Sequence, residues 1–354
     1  MNKERKILLK TPRGLEKIAA SRVLELVPEA RVESAPHGYK GLVLVYVPED
    51  SFREAYDVIS REVLEAEKVF EVVSEAKADL EDIAAKAAEA ARNRISPNET
   101  FAVRTTRRGS HNFTSIDVNV RAGAAIQSVT SSPVNLTYPD KIVWIEIIDD
   151  IAYITITEGR EEKKKTYPGK PDIKPLLRKI AIAQVPYGGP LDAVRKVGVR
   201  IGRAAQTFEL RELVIAPFKP VPAEELAVFI SGVLEGIKSR LEIQRKTYSH
   251  KVHPVPVVVQ DLYQFVRDRR DEPIIVTSTR GKAISEVSDN LRELFETSRR
   301  VNVLIGAREG LPTGIFRAAS LIVDVAPGIT LPTDNALTAI VVALIEAIIS
   351  ERKT

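Results

Sequence analysis

Lys179-Ile-Ala-Ile-Ala183 opens a series of short apolar runs that decides the fold of the C-terminal half. It continues with Glu212-Leu-Val-Ile-Ala216, Pro256-Val-Val-Val259, Pro273-Ile-Ile-Val-Thr277, Asn302-Val-Leu-Ile305 and Ser320-Leu-Ile-Val-Asp324. Each run is too short for a helix and apolar at successive positions, the pattern of a strand buried on both faces. Helical patterns lie between them. One starts at Ala223 and carries Leu226, Ile230, Leu234, Ile237 and Leu241; another runs from Asn335 to Ile349. Alternating strands and helices predict a parallel α/β sheet covered on both sides, occupying residues 177–354.

Upstream, residues 158–176 are rich in Lys, Pro and Gly and contain Lys163-Lys-Lys165, the composition of a linker. Residues 1–75 read as a small α+β unit. Its strands are Lys6–Lys10, Gly41–Val47 and Lys68–Val73. Its helices are Leu15–Val27, with Ile18, Ala19, Val23 and Leu26 on one side, and Ser51–Ile59. Residues 76–157 form a further unit. A helix carries Leu80, Ile83, Ala84, Ala87, Ala88 and Ala91, and the strand Thr100–Thr106 leads to a basic turn, Arg107-Arg-Gly-Ser-His111. A helix from Ser115 follows, its stripe being Ile116, Val120, Gly123, Ala124 and Gln127. Ile142–Ile148 and Ile151–Ile156 then make a hairpin through Asp149-Asp150.

The chain has 354 residues, more than one core accommodates, with 44% hydrophobic and 28% charged residues, as in a globular protein. No run approaches the ~20 apolar residues of a membrane span, and the N-terminus lacks a signal-peptide pattern, so a cytoplasmic protein is expected. The absence of cysteine removes thiolate nucleophiles, persulfide carriers, iron–sulfur clusters and thiolate zinc sites. Four histidines, His37, His111, His250 and His253, are too scattered for a metal site, and none is expected. A net charge of +4 permits a polyanionic partner. Arg104, Arg107, Arg108 and His111, beside small hydrogen-bonding residues, are suited to phosphate oxygens because arginine presents a fork of donors and stays charged.

The segment carrying those arginines, together with Val134-Asn-Leu136, Pro139-Asp-Lys141 and the Ile145–Ile156 hairpin, resembles a THUMP domain, and residues 1–75 are similar to its ferredoxin-like companion. The resemblance implies binding of structured RNA, typically tRNA through its acceptor end, with Lys141, Lys163, Lys164 and Lys165 extending the basic track. Thiouridine-forming THUMP proteins need a reactive cysteine, which is absent. Rossmann-type methyltransferases need a Gly-rich loop and an Asn/Asp-Pro-Pro-aromatic motif, also absent.

In the C-terminal half, Gly198-Val-Arg-Ile-Gly-Arg203-Ala-Ala, Val303-Leu-Ile-Gly306-Ala-Arg-Glu309-Gly-Leu-Pro-Thr-Gly314 and Val325-Ala-Pro-Gly-Ile-Thr-Leu-Pro-Thr-Asp-Asn335-Ala-Leu-Thr-Ala339 stand in the order of the three motifs of SPOUT-class RNA methyltransferases. The chain thus resembles archaeal THUMP–SPOUT proteins over nearly its whole length. That implies a trefoil-knotted domain, a homodimer with its site at the subunit interface, and S-adenosylmethionine as methyl donor. Arg203, Glu309 and Asn335 match the catalytic positions. The loop Gly306-Ala-Arg-Glu309 is one residue longer than the usual Gly-x-Glu, which places Arg308 beside Glu309 as a sharer of its role. The run Val325–Leu331, with Ala326, Gly328, Ile329 and Leu331, resembles the loop that holds the adenine of S-adenosylmethionine. Gly306, after a strand, lets the backbone approach a ligand closely, and Thr277, Ser278 and Thr279 are expected at the methionine part, because ligands lie at the carboxyl ends of parallel strands. Ribose 2′-hydroxyl methylation is the leading expectation. Arg203 acts either as the base or as a grip on the adjacent phosphate, the latter fitting arginine's high pKa. Base methylation with Asp334 as general base, and a non-catalytic dimeric RNA adaptor, are the alternatives.

Overall fold

The computed structural model describes residues 4–162, 164 and 166–350, in two units, Met1–Lys170 and Pro171–Thr354. In the first unit β1 (Glu4–Lys10) lies between β3 and β4, with α1 (Glu16–Leu26), β2 (Arg31–Ser34), β3 (Leu42–Pro48), α2 (Phe52–Glu62) and β4 (Lys68–Glu71) following in the chain. The antiparallel order is β2-β3-β1-β4. Ile7, Leu9, Val43 and Val45 pack against Ala19, Val23, Phe52 and Ile59. Helix α1 buries Glu16, Ala19, Ala20 and Val23 and leaves Ile18 53% exposed, which corrects the expected stripe. The cause is Glu16, drawn inward to accept hydrogen bonds from the backbone N–H groups of Gly14 (3.0 Å) and Gly41 (2.5 Å). These bonds hold its carboxyl below the usual carboxylate range.

β5 (Ser74–Lys77), α3 (Leu80–Ala91), β6 (Phe101–Arg108), α4 (Ser115–Thr130), β7 (Lys141–Ile148) and β8 (Ile151–Glu158) build a second sheet of order β5-β8-β7-β6, in which only β6 and β7 are parallel. Asp79 caps α3, and Thr114 with Asp117 forms a capping box on α4. Helix α4 buries Val118, Ala122, Ile126 and Thr130. Ile116 and Val120, expected inside, are 70% and 68% exposed. Both sides of α4 have apolar residues at helical spacing, so periodicity alone does not choose. The choice is made by Val103, Val143 and Ile145, which contact the other side.

The remaining sheet faces meet through Leu8, Leu44 and Phe70 on one side and Ile142, Trp144 and Tyr153 on the other. Glu146 lies in this layer, 1% exposed, bridged by Lys10 and, at 2.8 Å, by Arg108. Removing its charge leaves two partly buried cations unneutralised. Glu146→Gln is therefore expected to cost about 3 kcal/mol, read as a lowered denaturation midpoint of the first unit; an unchanged midpoint would show that water compensates both cations.

In the second unit α5 (Lys174–Leu177) leads into β9 (Ile180–Gln184), α6 (Leu191–Thr207), β10 (Glu212–Ile215), α7 (Ala223–Thr247), β11 (Val257–Val259), α8 (Leu262–Asp268), β12 (Ile274–Ala283), α9 (Ser288–Thr297), β13 (Val301–Ile305), β14 (Leu321–Asp324) and α10 (Thr333–Ile349). The sheet order is β11-β10-β9-β13-β12-β14, every neighbouring pair parallel, as the apolar runs predict. Side chains alternate across it. Ile180, Ile182, Leu213, Ile215, Val301 and Val303 face α6, α7, α9 and α10; Ala183, Val214, Val276 and Leu304 face α8 and the short turn Thr313–Ala318. The chain winds outward from β9 through β10 to β11 and then returns to β9's other side. A crevice at the carboxyl ends of β9 and β13 follows from this reversal.

Helices α6 and α7 are closely packed. A Cβ on Gly202 would lie 2.0 Å from the Val233 carbonyl oxygen, and one on Gly236 would lie 2.1 Å from that of Val199. This contact turns Phe229 and Val233 of α7 inward and leaves Leu234, expected in the core stripe, 50% exposed.

Candidate active site

At the carboxyl ends of β13 and β14, and where β12 leaves its pairing with β13 after Val276, a cleft of about 290 Å³ is lined by Thr277, Ser278, Thr279, Ile305, Gly306, Ala326, Ile329, Thr330, Leu331, Ala336 and Ile340, among others. Thr277–Thr279, expected at a strand end, stand within β12, which runs on to Ala283 past a break in its pairing with β14. Seven of the eight residues singled out for the cofactor thus line one cleft. Gly328 is the exception, set with φ +82° in the turn that precedes Ile329. The volume is near the lower end of the ~300–1,000 Å³ of small-molecule sites. Some of the hydroxyls are already engaged: Thr277 Oγ1 donates to the Leu304 carbonyl at 2.9 Å, and Ser278 Oγ accepts from the Arg280 N–H at 3.1 Å. The loop after β14 is tied at its base by the Ala326 N–H, which donates to Asp324 at 3.0 Å. Past Asp324 and Ala326 the wall presents Ile329, Thr330 and Leu331.

The turn Ala307–Gly310 divides this cleft from a second one of about 410 Å³ over β9 and β10. Gly306 is required there for a reason the sequence does not show. A Cβ would lie 2.7 Å from the carbonyl carbon of Gly310, so the space is filled by the chain's own backbone. Gln184, fully buried at the end of β9, donates to the carbonyls of Val185 (3.0 Å) and Gly306 (3.3 Å), locking the turn to the sheet. Its Oε1 is buried without a partner among the described residues. No sequence pattern singled out Gln184, because its role arises only where β9 and β13 become neighbours. Glu309 lines both clefts and is paired with Lys219 at 2.6 Å.

Arg203 is exposed on α6 and lines neither cleft. One turn nearer the start of α6, Arg200 forms a salt bridge with Asp334 in the first turn of α10, the helix whose Ala336 and Ile340 line the smaller cleft. Arg200 is the arginine that sequence reading passed over, although it lies in the same motif. Helix α10 starts at Thr333, so exposed Asn335 falls within its first turn. Within one chain, then, the cofactor candidates and Glu309 are brought together, whereas Arg203 and Asn335 stand outside the clefts.

Residues 174–354 match the model of the family described as AF2226-like SPOUT RNA Methylase fused to THUMP, and residues 77–157 match the THUMP domain. The chain belongs to this THUMP-fused SPOUT RNA methyltransferase family. An uncharacterised protein of Methanocaldococcus jannaschii is 40% identical over 341 residues, covering 96% of this chain and 93% of that one. A tRNA sulfurtransferase of Vibrio vulnificus is 44% identical over 85 residues, 24% of this chain and 17% of that protein. A probable tRNA sulfurtransferase of Saccharolobus islandicus is 32% identical over 158 residues, 42% and 38% of the two chains.

In the THUMP domain most of the expected cations have protein partners. Arg107 and Arg108 stand in β6 and not in the turn after it, because the strand continues to Arg108 opposite Ile148. Arg108 is held by Glu146, and Arg104 reaches Glu162 (3.4 Å) and donates to the Leu136 carbonyl (2.7 Å). Lys141 is bridged to Glu158 and, at 3.5 Å, Glu99; the Glu158 bond raises its pKa. Burial works to raise the Glu162 carboxyl, but Lys164 and Arg104 hold it below its ordinary value. Arg107 lies 3.2 Å from His111 Nδ1, and His111 Nε2 donates to the Asp149 carbonyl at 2.7 Å. Lys163 and Lys165 lie outside the described residues. Among the described residues no helix is long and apolar enough to cross a membrane, and no group of three or more His, Asp or Glu side chains is placed to hold a metal ion.

Proposed function

We propose that this THUMP–SPOUT protein is a cytoplasmic S-adenosylmethionine-dependent methyltransferase that modifies a ribose 2′-hydroxyl of tRNA in the acceptor-stem region. The observation that supports it most is the convergence of Thr277, Gly306, Ala326, Ile329 and Leu331, distant in sequence, on one cleft over β12, β13 and β14 in a chain of this family. That lining fits the donor: apolar side chains for adenine, backbone groups of the loop after β14 for its ring nitrogens, and the hydroxyls of Thr277–Thr279 in β12 for the amino-acid part. The bound donor supplies a methyl group on a cationic sulfur, which needs no metal.

The chain's own residues then have to hold the acceptor ribose. We assign Arg203 to the target phosphate, where it polarises the 2′-hydroxyl while keeping its charge. Its exposure outside both clefts of one chain favours a homodimer in which the partner's site receives it. Asn335 at the start of α10 and Glu309 complete the proposed set. Asp334 is a weaker candidate for a general base, since its carboxylate is already taken up by the salt bridge with Arg200. Residues 1–75 and 76–157 are assigned to RNA selection, 158–176 to a linker and 177–354 to methyl transfer. The matches to tRNA sulfurtransferases support tRNA as the RNA, with Arg104, Arg107, Arg108, His111, Lys141 and Lys163–Lys165 as its contacts.

Incubation with radiolabelled S-adenosylmethionine and unmodified tRNA transcripts is expected to leave the label at a linkage that resists alkaline cleavage, because methylation removes the attacking 2′-hydroxyl. Label at a cleavable linkage would move the target to a base. Absence of cofactor binding by calorimetry would leave an RNA-binding adaptor.

A further inference from the structure

The larger cleft over β9 and β10 is not accounted for by the cofactor. We propose that it is the pocket for the acceptor nucleoside, an RNA nucleotide turned out of its stem, an inference that rests on the methyltransferase reading above. Position is the first argument. The cleft lies where the sheet's winding reverses, at the carboxyl ends of β9, β10 and β13, where open α/β sheets place ligands. It shares the wall Ala307–Gly310 with the cofactor cleft, so occupants of the two would meet across a single turn of backbone.

Its chemistry is the second. Pro217, Phe218, Pro220 and Pro222 all line it, an apolar segment in which the prolines have little conformational freedom to lose and offer no backbone N–H. A nucleobase stacks on such a surface, since every base has a π-face. The cleft's lining also carries two cations, Lys219 and Arg308, beside two carboxylates, Glu225 and Glu309. Lys219 is paired with Glu309, but their side chains are 54% and 63% exposed, so a phosphate can replace the carboxylate at little cost. Arg308 lies 5.9 Å from the Tyr187 ring centroid and has no carboxylate partner among the described residues. A proline- and phenylalanine-lined cleft with two cations in its lining matches a base with its flanking phosphate.

A volume of about 410 Å³ accommodates a nucleoside but not a duplex. The nucleotide therefore has to leave the stack, as it does in other enzymes whose chemistry is closed to a paired base. Recognition would then fall on a nucleotide that is weakly paired in its stem.

Ultraviolet crosslinking of unmodified tRNA transcripts to the full chain saturated with S-adenosylhomocysteine, followed by peptide mapping, tests this without turnover. Crosslinks are expected on the Pro217–Pro222 segment. Val221→Trp, which fills this cleft and does not line the other, is expected to remove them and to slow methyl transfer about 100-fold. Its S-adenosylhomocysteine affinity should match wild type, which also shows that it folds. A second variant, Lys219→Glu, is expected to raise the KM for tRNA more than it lowers kcat. Crosslinks confined to other segments, methyl transfer by Val221→Trp at the wild-type rate, or loss of cofactor binding in that variant would each overturn the assignment. Crosslinks on Pro217–Pro222 with no transfer to any tRNA would instead refute the proposed reaction and leave the pocket standing.

Discussion

Arg203→Ala is expected to lower methyl transfer to tRNA by about 100- to 1,000-fold while leaving S-adenosylmethionine affinity unchanged. The expectation follows from the separation seen in one chain: Arg203 lines neither cleft, so its loss leaves the cofactor walls intact. If the arginine serves its partner's site, two inactive variants should rescue one another. Arg203→Ala mixed with Ala326→Trp, which fills the cofactor cleft, would form heterodimers with one intact composite site. An equal mixture that exchanges freely is expected to recover about a quarter of the wild-type rate. Stopped assays with labelled donor after co-refolding measure it. Full activity of Arg203→Ala would remove the residue from the mechanism, and an inactive mixture from confirmed heterodimers would place Arg203 in its own chain's site.

The second large effect is on stability. Gly202→Ala puts a methyl where a Cβ would lie 2.0 Å from the Val233 carbonyl oxygen, a backbone atom that cannot rotate away. Helices α6 and α7 would have to separate, and with them the layer formed by Val194, Ile201, Phe229 and Val233. Overpacking of this kind costs about 3 kcal/mol. For a unit of this size that lowers the melting temperature by roughly 6–12 °C. Gly202→Leu should prevent the second unit from folding. Gly314→Ala is the control, because its Cβ would meet only the end of the Arg317 side chain, at 3.6 Å. Calorimetry resolves the second unit's transition; equal midpoints for Gly202→Ala and Gly314→Ala would mean that the helices adjust without loss.

Where each cation ends up was less legible than where each strand lies. Arg104, Arg107 and Arg108 are adjacent to phosphate-friendly residues in sequence, yet Arg108 meets Glu146, thirty-eight positions away, once β6 and β7 pair. An ion pair between neighbouring strands has no local pattern. The same holds for Arg200 and Asp334, which come together because α6 and α10 share one face of the sheet. In the helices, side choice failed where both sides were apolar or where glycines set the contact. Ile116 and Val120 of α4 and Leu234 of α7 lie outside their cores for these reasons, and Ile18 of α1 because Glu16 is drawn inward.

The sequence by itself determined the parallel sheet of the second unit, because fully buried strands need continuous apolar runs and Ile180–Ala183, Leu213–Ile215 and Val303–Ile305 are such runs. Its resemblance to the SPOUT motifs also singled out residues that share one cleft, though strand order, not the motifs, brings them together. Tertiary structure alone decided which strands are neighbours, and hence that β13 lies between β9 and β12. That order places the 307–310 turn between two clefts, seats Gln184 under Gly306 and leaves Arg203 outside. Strand order is set by helix packing over the whole face, a sum of long-range contacts that no short stretch of residues encodes.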